Sequence, residues 1–311
     1  MKSIAVIGSL NIDHILKVDK LPLLGETISS LNYSLSEGGK GANQAAAIGK
    51  LGADVYMFGK VGNDEYSNLL ISSLQNSNVN TEGVMIDSSS KTGAAFITVD
   101  NSGNNTIVIT PGANGSLTFN DLEKMESKIF THEIILLQME IPEEIIVYII
   151  NKARKINKLL LLNLAPAKTI DIQVLNKLDY LIVNESEMEF LTNIKYTGNN
   201  LDIEIAKIRK FFHSKLVITL GPLGAAYSIK NQEFDIIPTF NVVSKDKTAA
   251  GDAFIGGFIF GLANGLNLKT CMNLENANGS LSTTILGAQK SLPDKSMLKE
   301  FLLKNGLKMK I

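Results

Sequence analysis

The chain has 311 residues, a formal net charge of -1, 45% hydrophobic and 20% charged residues, the proportions of a globular protein rather than a disordered one. Near-neutrality leaves no broad basic footprint, so a small molecule is the expected partner, and neither nucleic acid nor an anionic membrane. A single cysteine, Cys271, excludes an intramolecular disulfide and a cysteine-rich metal site.

In chain order, the amino terminus "SIAVIG" reads as a buried strand, too short for a signal peptide, and cytoplasmic residence is the expectation. "DVYMFGKV", "EIILLQME", "LLLLNLA", "YLIVN", "LVITLG" and "AAYSI" follow as further strands whose continuous hydrophobicity fits burial on both faces. Helical patterns at 41–51, 64–76, 143–156, 185–192, 201–213, 250–263 and 268–286 alternate with them. This rhythm predicts an α/β fold with a mostly parallel central sheet flanked by helices. Two regions break it, about 12–36 and 92–110, and both read as antiparallel strands, the second a hairpin turning through Asn101 to Asn104. They predict a small β-sheet lid inserted into one domain spanning 1–311.

Four stretches could carry chemistry. "KTAAGDAF" at 247–254 opens a helix that Asn264-Gly265 should close, with Thr248 as the expected N-cap and Ala250, Gly251 and Asp252 in the first turn. Small residues there would let an anion reach the unpaired N–H groups, although Asp252 could equally serve only to complement the helix dipole. "EGGKGANQAAAIGKLG" at 37–52 is a second glycine-rich helix entry, and its spacing fails both the Walker A and the dinucleotide patterns. It fits a structural tight turn or a backbone that closes on a polyhydroxyl ligand through Lys40 and Asn43. "TLGPLGAA" at 219–226 follows a buried strand, where open α/β sheets bind ligands. "VNESEMEFL" at 183–191 sets Asn184 and Glu187 three apart on one helix face, as a site or as a capped, solvated helix start.

Taken together with "GSLNIDHIL", "QMEIP", "LNLAPA" and "GAQKSLP", these stretches resemble, in order and spacing over nearly the whole chain, the ribokinase family of PfkB-type sugar kinases. The resemblance implies a ribokinase-like fold and ATP-dependent phosphorylation of a pentose, D-ribose at its 5-hydroxyl first. Deoxyribose, fructose, or a nucleoside such as pseudouridine is the rival acceptor, and a catalytically silent sugar-binding protein of the same fold is the rival class. Asp252 would accept the proton of the attacking hydroxyl while the N–H groups of Ala250, Gly251 and Asp252 hold the migrating phosphoryl group. From its place at a helix N-terminus, the Asp252 carboxyl is expected to have a lowered pKa. Asn11, Asp13, Gly39, Lys40, Asn43 and Glu140 would bind the sugar. Asn184 and Glu187 would stand near the triphosphate and Mg2+, and Thr219, Gly221, Gly224 and Asn276 would contact the nucleotide. A K+ ion would sit among Asp246, Thr248, Ser282, Ile285, Gly287 and Ser291. Lys247 departs from the family signature and is expected to be a solvated side chain. The resemblance also implies a homodimer formed through the lid sheet.

Overall fold

The computed structural model describes residues 1–230 and 234–309. Its strands are β1 (Ile4–Ile7), β2 (Asn11–Lys17), β3 (Asn32–Gly38), β4 (Val55–Gly62), β5 (Asn80–Asp87), β6 (Gly93–Val99), β7 (Asn105–Thr110), β8 (Ile134–Gln138), β9 (Leu159–Asn163), β10 (Tyr180–Asn184), β11 (Lys215–Thr219), β12 (Ala225–Ser228) and β13 (Asp235–Ile237). The helices are α1 (Lys40–Lys50), α2 (Glu65–Asn76), α3 (Phe119–Ile129), α4 (Glu143–Lys155), α5 (Ile172–Leu175), α6 (Glu185–Thr192), α7 (Leu201–Ile208), α8 (Ala250–Ala263), α9 (Leu268–Ser282) and α10 (Lys295–Lys304). Among these residues no helix is long and apolar enough to cross a membrane.

Nine strands form one sheet in the order β13-β12-β11-β10-β9-β8-β1-β4-β5, parallel from β11 to β5 and antiparallel only at the β12 and β13 edge. Every residue of β1 and β8 is buried. Side chains of one face pack with α1, α8 and α9, and those of the other with α3, α4 and α7. Continuous apolar strands are the sequence consequence of helices on both faces.

The second sheet has the order β3-β2-β6-β7. It combines the two regions expected as a lid, with one correction to their pairing: β2 runs parallel to β6, and only the β2–β3 and β6–β7 contacts are antiparallel. The strands come from distant parts of the chain, and β2 and β6 are both entered from the body, so they emerge side by side and point the same way. On one face His14 stacks on Phe96 with ring centroids 4.8 Å apart.

Two helix ends fall short of the hydrophobic pattern. The 268–286 stretch stops at Ser282, where Ser282, Thr283 and Thr284 each turn a hydroxyl onto the carbonyl three residues back and compete with the helical ladder. The 201–213 stretch leaves the α-helix after Ile208 and continues as turns. Cys271 is buried in α9, and burial pushes its thiol up to about 12.

Candidate active site

The site gathers where α1, α8 and the C-terminal ends of β8, β9 and β10 meet the small sheet. Gly39 precedes α1 at φ 88°, and a Cβ there would stand 2.8 Å from both the Asn11 nitrogen and the Ser9 oxygen, so the turn requires glycine. This close approach brings Lys40 into α1 beside the loop after β8. Its N–H donates to Glu140 Oε2 at 3.0 Å, and the same oxygen accepts from the Ser9 hydroxyl.

Asn11 and Asp13 reach the site from β2, both buried. Asn114 orients the former: its Nδ2 donates to Asn11 Oδ1 at 2.7 Å, and the Asn11 amide N–H groups have no acceptor among the described residues and remain available as donors. Asp13 fills space that Gly38 vacates, since a Cβ on Gly38 would lie 2.2 Å from its Oδ2. Burial first, then the facing charges of Glu140 and Asp252, push the Asp13 carboxyl up to about 7.

Asp252 lies in the first turn of α8, 8% exposed. Asn43 Nδ2 donates to its Oδ2 at 3.0 Å and Gln44 Nε2 to its Oδ1 at 2.9 Å. The two helices can approach this closely because Gly256, one turn further along α8, faces Ala47 of α1, where a Cβ would come within 2.4 Å of the alanine methyl. The expected lowering of the Asp252 pKa is overturned. Burial dominates and raises it, with Lys40 and the Gln44 and Asn43 amides opposing. Lys40 keeps its proton: burial favours loss of the charge, but Asp252, Glu140 and Glu187 around it raise its pKa.

The start of α8 also differs from expectation. Thr248 is not the N-cap, because its hydroxyl and its N–H both donate to Asp246 Oδ1. Ala249 takes the position in the left-handed region at φ 57°, with no side-chain cap. Such a conformation costs a non-glycine residue on the order of 1–2 kcal/mol and persists only where surroundings impose it. Its effect is that the N–H groups of Gly251 and Asp252 have no acceptor among the described residues, a feature that favours an anion, whereas the Ala250 N–H, expected to join them, donates to the Lys247 carbonyl at 3.2 Å.

A cavity of about 740 Å³ opens from this helix start and is lined by Asn184, Thr219, Gly221, Gly224, Ala250, Gly251 and Asn276, among others. Asn276 Nδ2 is committed to the carbonyls of Ile237 and Pro238, so this side chain also holds the cavity wall. Asn184 and Glu187 form a reciprocal capping box on α6. The start of α6 is capped but not solvated at Glu187, which is buried; burial raises its carboxyl against the Asn184 N–H and Lys40. Lys247 is exposed, in keeping with its reading as a solvated side chain, and it also borders the same cavity.

Behind the helix start, Asp246 ties the loop together, its Oδ2 accepting from the Gly287 N–H at 2.8 Å. Burial works against its charge, but the donors from Gly287 and Thr248 prevail and hold it below the usual carboxylate range. Ile285 N–H donates to the Ser282 carbonyl, and the Ser291 hydroxyl to Ala288, so Ile285, Gly287 and Ser291 follow the Ser282 end of α9, while Asp246 and Thr248 stand in the loop before α8, joined to that run by the Gly287 N–H. Among the described residues, no group of three or more His, Cys, Asp or Glu side chains could hold a metal directly. Sequence reasoning passed over Ser9, Gln44 and Asn114. "GANQAAA" and "PGANGS" do place polar side chains within glycine-rich turns, but only the long-range packing aims them.

A carboxylate, a lysine and an uncapped helix start converging beside a large cavity define a phosphotransferase site. The chain belongs to the pfkB family of carbohydrate kinases, whose model matches residues 1–295. It is 34% identical to the ribokinase of Bacillus subtilis over 306 residues, 97% of this chain and 100% of that one, and 32% identical to the deoxyribokinase of Salmonella typhi, covering 97% and 99%. Arabidopsis thaliana ribokinase, solved with ribose and ATP, superposes with a TM-score of 0.87 at 29% identity, covering 97% and 98%.

Proposed function

We propose that this carbohydrate kinase transfers the terminal phosphoryl group of ATP to the 5-hydroxyl of D-ribose. The observation that carries the reading is the meeting of Asn11, Asp13, Lys40, Asn43, Glu140 and Asp252 in front of the uncapped start of α8. Asn11 offers amide donors and Asp13 and Glu140 offer acceptors, a set that suits a ring of hydroxyl groups.

In the reaction, the sugar oxygen attacks the terminal phosphorus and the bond to the bridging oxygen breaks. ADP departs with that electron pair, and the hydroxyl proton passes to Asp252. The raised pKa of Asp252 makes it a better proton acceptor than an exposed aspartate. The N–H groups of Gly251 and Asp252, with the Lys40 ammonium, stabilise the equatorial charge of a loose transition state. The cavity has the size of a small-molecule site, and Asn184, Thr219, Gly221, Gly224 and Asn276 would hold the nucleotide. Mg2+ would arrive with the phosphates, with Glu187 as the nearby carboxylate. A K+ ion beside Asp246 would supply fixed charge behind the anion site. The exposed apolar side chains Phe96, Ile107, Val108 and Ile109 of the small sheet support a homodimer covering that sheet, within one kinase domain.

Deoxyribose is the second reading, favoured by the similarity to the Salmonella typhi deoxyribokinase. ATP consumption against ribose, deoxyribose, fructose, adenosine, uridine and pseudouridine tests both. Ribose should lead deoxyribose in kcat/KM by about one lost hydrogen bond to a polar site, ~1–3 kcal/mol or roughly 5–150-fold. A better kcat/KM for deoxyribose or a nucleoside would reject ribose, and no turnover with any acceptor would leave the silent binding protein.

A further inference from the structure

Gln44 holds the Asp252 carboxylate from behind, and the kinase reading gives it no role. It is fully buried in α1. Its Nε2 donates to Asp252 Oδ1 at 2.9 Å and to Asn163 Oδ1 at 3.1 Å, and its Oε1 accepts from Gln138 Nε2 at 2.7 Å. Asn163 donates in turn to the Ile182 carbonyl at 3.3 Å. Gln138, Asn163 and Ile182 are register partners on β8, β9 and β10. The groups therefore form a rail that runs from the last residue of β8 through Gln44 to the last residue of β9 and on to Ile182 within β10, and Gln44 also branches toward α8.

The rail has one polarity. Because Gln138 donates to Gln44 Oε1, the Gln44 nitrogen must be the atom that faces Asp252 and Asn163. Reversing the Gln44 amide would set its oxygen against the carboxylate. Gln138 keeps this orientation even though its own Oε1 has no partner. That oxygen occupies space left by Gly8, whose Cβ would lie only 2.0 Å from it.

The consequence falls on the carboxylate. With Asn43 on Oδ2 and Gln44 on Oδ1, rotation of the Asp252 carboxylate breaks two buried hydrogen bonds. Each oxygen still keeps a lone pair for an incoming hydroxyl. We propose that Gln44, seated on the Gln138–Asn163 rail, is a positioning residue that fixes the direction in which Asp252 accepts the sugar proton. The inference rests on Asp252 being the base.

The test uses Gln44→Met, which preserves length and removes both donor and acceptor, beside Asp252→Asn. Since misplacement of a reacting group by about 1 Å can cost roughly 100-fold, kcat of Gln44→Met should fall ~10–100-fold. KM for ribose and for ATP should stay within about threefold, since neither site loses a contact. The acid limb of the kcat–pH profile should move to higher pH, because a donor to the ionised carboxylate is gone. A loss of packing alone would not move that limb. Should Gln44→Met fail to fold by circular dichroism, Gln138→Met carries the test. It leaves both Asp252 bonds in place and should shift kcat and the limb in the same direction by less. A folded variant with wild-type kcat and limb, beside an inactive Asp252→Asn, overturns the inference alone. An Asp252→Asn enzyme with near wild-type kcat overturns the base assignment and the inference with it.

Discussion

Asp13 should make sugar recognition depend on pH near neutrality. Its carboxyl stands at about 7 in the folded chain against an ordinary 3.8, because burial and then the charges of Glu140 and Asp252 disfavour ionisation. Only the ionised form offers acceptors alone to a sugar hydroxyl. Each unit below the folded pKa leaves about a tenth of the molecules ionised, so kcat/KM for the sugar should fall ~tenfold per unit between about pH 7 and pH 5. Asp13→Asn should abolish the limb near 7 and lower kcat/KM at pH 8 by roughly 5–150-fold, one hydrogen bond to a charged or polar partner. Stability responds with a definite sign. A pKa raised in the folded state favours folding fully below 3.8 and loses that contribution as pH rises through about 7. About three units at 1.36 kcal/mol each set an upper bound on the order of 4 kcal/mol. The stability difference between the natural protein and Asp13→Asn, from urea titrations without sugar, should therefore move against the natural protein from pH 5 to pH 8. A difference flat over that range, with the kinetic limb near pH 4, would refute the reasoning.

Two further outcomes concern the cavity rim and the small sheet. Lys247 borders the cavity while Asp246 turns to Thr248 and Gly287, so Lys247→Thr should raise KM for ATP by about two- to fivefold, the worth of an exposed charge contact. Potassium should activate both forms equally against a bulky organic cation at matched ionic strength; dependence gained only in Lys247→Thr would make the lysine a built-in cation. Ile107 and Ile109 are exposed on β7, so Ile107→Asp with Ile109→Asp should convert a sedimenting dimer to monomer. A natural protein that sediments as a monomer at micromolar concentration would defeat the assembly.

What the sequence made legible followed physical contrast. β1 is apolar throughout, and β8, β9, β10 and β11 are apolar except at their ends, because helices cover both faces; α8 runs over the predicted residues 250–263 because Asn264-Gly265 stops it. The edge strand β5, "NTEGVMID", carries too many polar residues to stand out, and three-residue β13 is too short for any pattern. α3 and α10 were missed despite local signals: Thr118 with Asp121 forms a capping box, and Asp294 caps Met297. At the site, residue types in glycine-rich turns were readable, whereas burial was not. The Asp252 pKa was misjudged because the helix start suggested its local field, whereas burial, which only the packed fold creates, outweighs both that field and the opposing amides of α1, more than 200 residues away in sequence. The Thr248 cap failed for a local reason, since Asp246, two residues back, takes its hydroxyl.

The proposed sugar contacts are divided between two structural bodies. Asn11 and Asp13 belong to the four-stranded sheet, while Lys40, Asn43 and Asp252 stand on helices packed against the nine-stranded one. A pentose engaged by both groups is a cross-brace: the bonds that read its hydroxyls also fix the angle between the sheets. By reciprocity, whatever holds the sheets at that angle strengthens sugar binding by the same factor. A water molecule can approach Asp252 but cannot span to Asn11 and Asp13, so it contributes nothing to this bracing. On the proposed contacts, discrimination against idle hydrolysis of ATP would fall to the hydroxyls that Asn11 and Asp13 read, where binding energy is converted into alignment.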